Sequence, residues 1–231
     1  MSTGRDRFFQ LCDTTPTVLP SMLLCDFGNL EREIQRLEEA GVAGLHLDVM
    51  DGVFVPNFTY GMTIVSAVRK LTEMAIDVHL MMVNPEKYID QFCEAGADVL
   101  TIHAEATEDP ASALTAIRKH DVAAGIAVNP DTPVTSIESA IAAADLALVM
   151  SVHAGFGGQS FMDSVLPKFD AIRSALGGEN VVLEIDGGIN VSTIQAATSA
   201  GAQLLVAGSA IFKQDDYSIA LEQLMGQIQV A

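Results

Sequence analysis

The stretch VVLEIDGGINVSTIQAATSAGAQLLVA, residues 181–207, carries the pattern that decides the fold. An apolar run of strand length, 181–186, is followed by a segment with apolar positions three and four apart, 191–200, and then by a second apolar run, 203–207. Gly201 stands just past the helical segment, where glycine is preferred because it adopts a left-handed backbone. The pattern predicts a strand–helix–strand unit with parallel strands.

The same alternation continues along the rest of the chain. Apolar runs predict strands at 17–23, 44–49, 76–81, 98–103, 123–128, 146–152, 181–186 and 203–207. Helical patterns lie at 29–40, 62–71, 85–95, 111–120, 134–143, 164–176, 191–200 and 217–229. Alanine–glycine pairs at 40–41, 95–96 and 200–201 each end a helical pattern, and their spacing corresponds to about two and four units of about 29 residues.

The predicted strands are near-continuous apolar runs, which is typical of a parallel sheet covered on both faces. Eight strand–helix units in a chain of 231 residues match the (β/α)8 TIM barrel, which typically needs about 250 residues. We therefore predict the α/β class, with a single-domain barrel over residues 17–231 and a polar N-terminal extension at 1–16. A doubly wound sheet of eight strands is the structural alternative.

The charge balance argues against several classes of partner. The chain has 12 Lys and Arg against 30 Asp and Glu, a formal net charge of −18, whereas binding to a nucleic-acid backbone needs clustered basic residues. DNA, RNA and anionic lipid headgroups are therefore poor candidates, and no apolar stretch approaches the roughly 18 residues of a membrane span. Three cysteines without a CxxC pair fit neither a disulfide framework nor a thiolate zinc site, so we expect a reducing cytoplasm.

Polar side chains stand at the ends of otherwise apolar strands, where the chemistry of a barrel lies. Because side chains alternate along a strand, a common face is expected for His46, Asp48 and Met50, for Asp77, His79 and Met81, and for Glu184 and Asp186. Imidazole and carboxylate groups that converge on one barrel mouth can bind zinc, iron, manganese or cobalt. By spacing alone such a histidine is more often a core or rim residue, and the coincidence of several polar strand ends is what favours a metal site.

Other candidates at the strand ends are weaker. His103 also ends a predicted strand, so position alone does not make a histidine a ligand, and His120 is expected to be structural, in the last turn of a helix. Met50, Met81 and Met150 lie at or near strand ends. Buried methionine ordinarily fills gaps, and a collar of thioethers that excludes water above a metal is the functional alternative.

Three glycine-bearing loops come late in the chain, at 155–159 (GFGGQ), 187–188 and 208–209. Glycine lets backbone N–H groups approach an anion closely, and the phosphate site of a barrel usually follows strands seven and eight. Most of the basic residues fall on predicted helices and none falls in these loops. The sequence therefore predicts a phosphate held by backbone N–H groups. A net charge of −18 by itself disfavours a phosphorylated substrate, but a phosphate site made of backbone groups does not depend on basic side chains.

The assembled residues resemble the ribulose-phosphate 3-epimerase family over about residues 17–215. The matching stretches are PSMLLCDF (20–27), HLDVMDGVFVPNFTYG (46–61), DVHLMMVNPEKYI (77–89), NPDTP (129–133), VMSVHAGFGGQSF (149–161), EIDGGIN (184–190) and VAGSAIF (206–212). The segments HLDVMDGVFVPN and DVHLM are the specific ones, whereas GGIN and GSAIF also resemble phosphate-binding barrels in general.

The resemblance implies a barrel of the ribulose-phosphate binding type. It implies an isomerase of the pentose phosphate pathway, a homo-oligomer (dimer or hexamer) that interconverts D-ribulose 5-phosphate and D-xylulose 5-phosphate through an enediolate. Asp48 and Asp186 would be the two proton-transfer groups. One divalent ion (Zn, Fe, Mn or Co) would be held by His46, Asp48, His79 and Asp186. The substrate would be bound by Ser21, His79, Gly155, Phe156, Gly157, Gly158, Gly187, Gly188, Gly208 and Ser209, under a methionine collar of Met50, Met81 and Met150.

The chain departs from the family pattern in places, and alternatives stay open. Leu19 stands where members usually have Ala, Leu24-Cys25 where they have Ser-Ala, and His153-Ala154 where they have Asn-Pro. The unusual SMLLCDF segment leaves room for a ketohexose 6-phosphate such as D-allulose 6-phosphate. A non-catalytic phosphate-binding barrel, or a barrel of amino-acid or nucleotide biosynthesis, would not need two carboxylates and two histidines around a metal.

Overall fold

A computed structural model describes residues 2–176 and 181–228. Within these residues, eight strands form one sheet in the order β1-β8-β7-β6-β5-β4-β3-β2, and each neighbouring pair is parallel. A parallel bridge between Ser21 and His46 joins the two ends of this order and closes the barrel. The strands are β1 (Thr17–Pro20), β2 (Gly44–Met50), β3 (Ala75–Met81), β4 (Val99–His103), β5 (Ala123–Val128), β6 (Leu146–Met150), β7 (Val182–Asp186) and β8 (Leu204–Ala207).

Helices connect the strands and cover the outside of the barrel. They are α1 (Gly4–Cys12), α2 (Leu30–Glu39), α3 (Met62–Leu71), α4 (Ile89–Glu94), α5 (Pro110–Arg118), α6 (Pro167–Leu176), α7 (Ile194–Ala200), α8 (Ser209–Phe212) and α9 (Tyr217–Met225). Gly201 caps α7 with a φ of 106°, as the alanine–glycine pattern predicts. The predicted barrel is confirmed, and the doubly wound alternative is excluded by the closure between β1 and β2.

Most predicted helices differ from the structure by one to four residues at an end, and one differs in type. The pattern at 134–143 folds as two short 3₁₀ turns, Val134–Ser136 and Ile141–Ala143. The Ser136 hydroxyl donates to the Pro133 carbonyl at 2.8 Å, which favours a tight turn over an α-helix. The apolar positions of this segment are buried all the same. The last helix ends at Met225, and its predicted end at 229 lies outside the described residues.

The segment at 1–16 contains the helix α1, which packs against the amino ends of β3, β4 and β5. Phe8 is fully buried and Leu11 is 5% exposed, and both belong to the apolar cluster inside the barrel. Arg5 and Arg7 pair with carboxylates at the barrel's amino end, Asp145 at 2.7 Å and Asp98 at 2.6 Å. The sequence predicts a polar extension here because of its charged residues. In the structure, two of these residues, Arg5 and Arg7, hold α1 against the barrel, and the apolar face of this helix closes the amino end.

Apolar side chains fill both sides of the strands, so the polar groups inside the barrel stand out. The larger core lies between strands and outer helices, and a smaller one fills the barrel interior. Among the residues buried in the barrel wall are His46, Asp48, Asp77, His79, Thr101, His103 and Glu184. In the part of the chain that the structure describes, no helix has the length and apolarity that crossing a membrane requires.

Candidate active site

Four side chains meet at the carboxyl end of the barrel. The register pairs Asp48 of β2 with His79 of β3, and Asp186 ends β7 opposite Met150 of β6. His46 lies two residues before Asp48 on the same face of β2. One ligand atom from each of His46, Asp48, His79 and Asp186 lies within 4.8 Å of the other three, so this cluster can hold a metal ion.

The geometry and the donor set both fit a divalent ion. Nε2 of His46 is buried and has no hydrogen-bond partner, and it lies 3.4 Å from Oδ1 of Asp48. Nδ1 of His79 lies 3.3 Å from the same oxygen and 3.9 Å from Oδ2 of Asp186. A buried, unpartnered imidazole nitrogen is costly in a fold, whereas a cation bound there would satisfy it. Two imidazoles and two carboxylates suit zinc, iron, manganese or cobalt.

A carboxylate behind His46 fixes its ring. Nδ1 of His46 forms a short hydrogen bond with Asp77, which leaves Nε2 turned towards Asp48. Glu184 lies 3.7 Å from the same Nδ1, and burial together with the charge of Asp77 raises the pKa of Glu184 well above its usual value. Histidines that bind metals commonly have such a carboxylate behind them, because it orients the ring and increases its basicity.

The two carboxylates of the cluster are shifted in opposite directions. Burial, reinforced by the charge of Asp48, raises the pKa of Asp186 to about 7. Burial also opposes ionisation of Asp48, but the positive charge of the neighbouring His46 outweighs it and holds the Asp48 pKa far below its usual range. A pair whose pKa values are driven apart in this way provides an acid and a base near neutral pH.

The histidines differ in the same manner. Burial lowers the pKa of His79 to about 4, so that this ring is neutral near pH 7. Burial also opposes the charge on His46, but the carboxylates of Asp77 and Asp48 outweigh it and raise the His46 pKa. A metal ion binding to His46 would therefore have to displace a proton, which makes metal affinity depend on pH.

A cavity opens directly above this cluster. Its lining includes Asp48 and Asp186 from the cluster and Ser21, whose hydroxyl donates to Oδ2 of Asp48 at 2.6 Å. His79 is fully buried beneath the cavity and does not line it. The other predicted substrate and collar residues all line the cavity: Gly155, Phe156, Gly157, Gly158, Gly187, Gly188, Gly208, Ser209, Met50, Met81 and Met150.

The glycine loops need glycine for steric reasons. Gly188 has a φ of 67°, and a Cβ there would lie 2.7 Å from the backbone nitrogen of Phe161. Gly187 has a φ of 121°, and a Cβ there would lie 2.6 Å from Cγ2 of Val152. The hydroxyl of Ser151 donates to the carbonyls of Asp186 and Gly187, which ties this loop to β6. The backbone therefore comes to the cavity wall without side chains in between.

Side-chain hydrogen bonds to backbone carbonyls hold the loop at 155–159 in place. The amide of Gln159 donates to the carbonyls of His153 and Phe156 at 2.7 and 2.9 Å, and Asn57 donates to Gly155 at 2.8 Å. The side chain of His153 is 59% exposed and lies near Asp131, 3.8 Å away, rather than in the cavity wall. Among the described residues that line the cavity there is no lysine or arginine.

Sequence reasoning missed several residues around the site. Leu23 and Leu24 line the cavity, and only the unusual SMLLCDF segment drew attention to them. The alternation along the strand places Asp77 on the same face as His79, but it does not indicate that Asp77 forms a hydrogen bond with His46. His103 lies against His79, with the two Nε2 atoms 2.8 Å apart, and no local pattern indicates this contact.

Comparison with known proteins gives the same relationship. A sequence model described as the ribulose-phosphate 3 epimerase family matches residues 17–212. The chain is 45% identical over 212 residues to the ribulose-phosphate 3-epimerase of Bacillus subtilis, covering 90% of this chain and 98% of that protein. It is 41% identical over 209 residues to the chloroplastic ribulose-5-phosphate-3-epimerase of Arabidopsis thaliana, covering 89% of this chain and 74% of that protein.

Solved structures confirm the fold at low identity. The chain resembles KGPDC from Streptococcus mutans in complex with D-R5P with a TM-score of 0.69 and 16% identity, over 92% of this chain and 96% of the other. A mutant tryptophan synthase alpha-subunit from Pyrococcus furiosus gives 0.69 and 12%, over 92% and 98%. The family match and the identities to curated epimerases assign the chain: it belongs to the ribulose-phosphate 3-epimerase family, and it is an isomerase.

Proposed function

We propose that this chain interconverts D-ribulose 5-phosphate and D-xylulose 5-phosphate by two-base proton transfer at the third carbon, with one divalent metal ion. The observation that carries the proposal is the pair Asp48 and Asp186. Asp48 lies two residues before the end of β2 and Asp186 ends β7, both line one cavity, and their pKa values are shifted in opposite directions.

Inverting a carbon next to a ketone requires a base on one face and an acid on the other. Asp48 is ionised at neutral pH and accepts the proton, while Asp186, with a pKa of about 7, is available to donate one to the opposite face of the flat enediolate. The roles exchange in the reverse reaction. Ser21 donates to Oδ2 of Asp48 at 2.6 Å and so holds that carboxylate in one orientation.

The phosphate is held by backbone N–H groups in this proposal. The loops at 155–158, 187–188 and 208–209 line the cavity, and glycine at six of these positions leaves the backbone accessible to an anion. Met50, Met81 and Met150 form the apolar wall next to the carboxylates and exclude water from the reacting carbon.

The metal site is formed by His46, Asp48, His79 and Asp186, whose ligand atoms and unpartnered His46 nitrogen fit a divalent ion. A bound ion would act as a Lewis acid that stabilises negative charge on the enediolate oxygens. His46 and His79 would hold the ion through their ring nitrogens and would take no part in proton transfer, which Asp48 and Asp186 carry out. Zinc, iron, manganese and cobalt all suit these ligands.

A coupled assay tests the proposal. Purified protein is given D-ribulose 5-phosphate, D-xylulose 5-phosphate or D-allulose 6-phosphate, before and after treatment with a chelator and after addition of Zn²⁺, Fe²⁺, Mn²⁺ or Co²⁺. We expect pentulose turnover that the chelator abolishes and a metal restores. Preferred turnover of the hexulose phosphate would contradict the substrate assignment, and full activity after complete removal of metal would contradict the role of the ion.

We further propose that the protein acts as a cytoplasmic homo-oligomer, a dimer or a hexamer. The family resemblance supports this assembly, and the unpaired thiols of Cys12, Cys25 and Cys93 are compatible with a reducing compartment. Light scattering coupled to size-exclusion chromatography would measure the oligomeric state. A monomer at micromolar concentration would contradict the proposed assembly.

A further inference from the structure

A chain of hydrogen-bonding groups leads from the metal cluster to the rim of the barrel through a third histidine. Nε2 of His79 lies 2.8 Å from Nε2 of His103, and Nδ1 of His103 lies 3.2 Å from Oε2 of Glu105. Both histidine side chains are fully buried, and the glutamate side chain is 24% exposed. His79 thus has one nitrogen towards the metal cluster and the other towards this chain of groups.

The direction of each hydrogen bond is fixed from the Glu105 end. Its Oε1 accepts from the backbone N–H of Asn129 at 2.8 Å and from the hydroxyl of Thr132. These two donors stabilise the ionised form of the carboxyl group, which is also the usual form of glutamate at neutral pH. An ionised carboxylate only accepts hydrogen bonds, so Nδ1 of His103 must carry a proton and donate it to Oε2.

The remaining proton positions follow from the tautomers of neutral imidazole. With its proton on Nδ1, His103 has a lone pair on Nε2 and accepts there. His79 must then donate from Nε2, which leaves the lone pair of His79 on Nδ1, the nitrogen that faces Asp48 and Asp186. The side-chain amide nitrogen of Asn129 is 3.4 Å from Nδ1 of His103, and this assignment requires the amide to be turned so that its oxygen, which accepts, faces that nitrogen.

We propose that Glu105, acting through His103, is a positioning residue that fixes the tautomer of His79 with its lone pair on the metal-facing nitrogen. The inference rests on the metal site of the proposed function and adds two residues to it. In His46, the ring nitrogen away from the metal cluster bonds the carboxylate of Asp77 directly. In His79, the corresponding nitrogen bonds His103, and the carboxylate of Glu105 fixes the orientation of protons through that second ring.

The substitution Glu105→Gln tests the direction of the hydrogen bonds that run from Glu105 through His103 to His79. Its amide oxygen must take the place of Oε1, because the backbone N–H of Asn129 can only donate. The amide NH₂ then faces Nδ1 of His103 and forces the proton of that ring onto Nε2. Two N–H groups would confront each other between His103 and His79 unless His79 moved its own proton to Nδ1, and either result opposes metal binding.

Glu105→Ala removes the acceptor without reversing the direction of the hydrogen bonds between His103 and His79, since water can then serve His103 as donor or acceptor. Glu108→Gln is the matched control, because it makes the same change of charge at an exposed position three residues along the same loop. Zn²⁺ affinity is measured by competition with a chromophoric chelator, and the visible spectrum of the Co²⁺ form reports on the ligand field. Thermal unfolding of each metal-free protein reports on folding separately.

We expect Glu105→Gln to weaken Zn²⁺ binding by about 10- to 100-fold, as other residues behind metal ligands do, and to alter the Co²⁺ spectrum. Glu105→Ala should lose less affinity, and Glu108→Gln should match the unsubstituted protein. An equal or larger loss in Glu105→Ala would overturn the inference, because a merely structural contact suffers most from truncation. Zn²⁺ affinity of Glu105→Gln within twofold of the unsubstituted protein would overturn it as well.

A measurement on the unsubstituted protein keeps the inference testable if a variant does not fold. Nitrogen-15 spectra of the Zn²⁺-loaded protein distinguish the two imidazole tautomers, and we expect protons on Nε2 of His79 and Nδ1 of His103. The opposite tautomer of His103 would overturn the inference while the metal site stands. If the unsubstituted protein bound no Zn²⁺, Co²⁺, Mn²⁺ or Fe²⁺, the metal part of the proposed function would itself be refuted.

Discussion

Replacing Asp186 by asparagine separates its proton-transfer role from its other contacts. The amide has nearly the same shape and keeps an oxygen for a metal ion, but it cannot give up or accept a proton. Because burial raises the pKa of Asp186 to about 7, the fold disfavours its charge, and a neutral amide should not destabilise the protein. A positioned acid or base contributes about 10²- to 10⁴-fold to rate, or roughly 3–5 kcal/mol of barrier, and kcat should fall by that factor.

The assay for this variant is epimerisation together with isotope exchange in D₂O. Asp48 remains a base, so Asp186→Asn should still exchange the proton at the third carbon of one epimer for deuterium without forming the other epimer. Zn²⁺ affinity is measured in parallel, and Asp215→Asn, an exposed carboxylate, controls for the change of charge. Epimerisation within about tenfold of the unsubstituted rate would refute the two-base reasoning.

Three further predictions follow from the same contacts. Zn²⁺ affinity should rise about tenfold or more per pH unit up to about pH 7, because Asp186, with its pKa of about 7, and His46, whose pKa is raised, must lose protons to bind the ion; calorimetry that finds constant affinity over this range would contradict it. Gly188→Ala should raise KM by about 5- to 30-fold, since a left-handed φ of 67° costs an alanine about 1–2 kcal/mol and its Cβ meets Phe161; Gly61→Ala, with open space around its Cβ, is the control, and equal KM values would contradict the loop's role. Phe8→Ala should lower the free energy of unfolding in urea by about 3–5 kcal/mol and leave kcat unchanged, because this fully buried ring lies at the opposite end of the barrel; a loss below about 1 kcal/mol would show that α1 does not close the barrel.

Strand positions and the metal cluster could be predicted because both depend on local patterns. A continuous apolar run bounded by turns becomes a buried parallel strand wherever it lies in the chain. The carboxyl ends of all such strands meet at one mouth of the barrel, so residues that end different strands become neighbours. The strand ends therefore made such polar residues candidates, the family resemblance singled out His46, Asp48, His79 and Asp186, and the structure brings these four together.

The helix α1 could not be predicted in this way. Its two arginines give the segment a polar composition, and their partners Asp145 and Asp98 lie more than 90 residues away in sequence. Only the docked helix places Phe8 inside the barrel. The segment at 134–143 shows the reverse case, because its apolar spacing is helical while a local hydrogen bond from Ser136 favours tight turns.

Periodicity and backbone sterics are local properties, so the amino-acid pattern suffices to predict the barrel, its polar strand ends and the glycine loops around the cavity. The differences between groups of the same chemical type arise only when the protein folds. Asp48 and Asp186 are the same residue type, and burial and neighbouring charges shift their pKa values in opposite directions. His79 and His103 both lie near the carboxyl ends of their strands, but His79 has a nitrogen in the metal cluster, and His103 lies behind it with the two Nε2 atoms 2.8 Å apart. Electrostatic interactions depend on distance and burial in space, which a linear pattern does not contain.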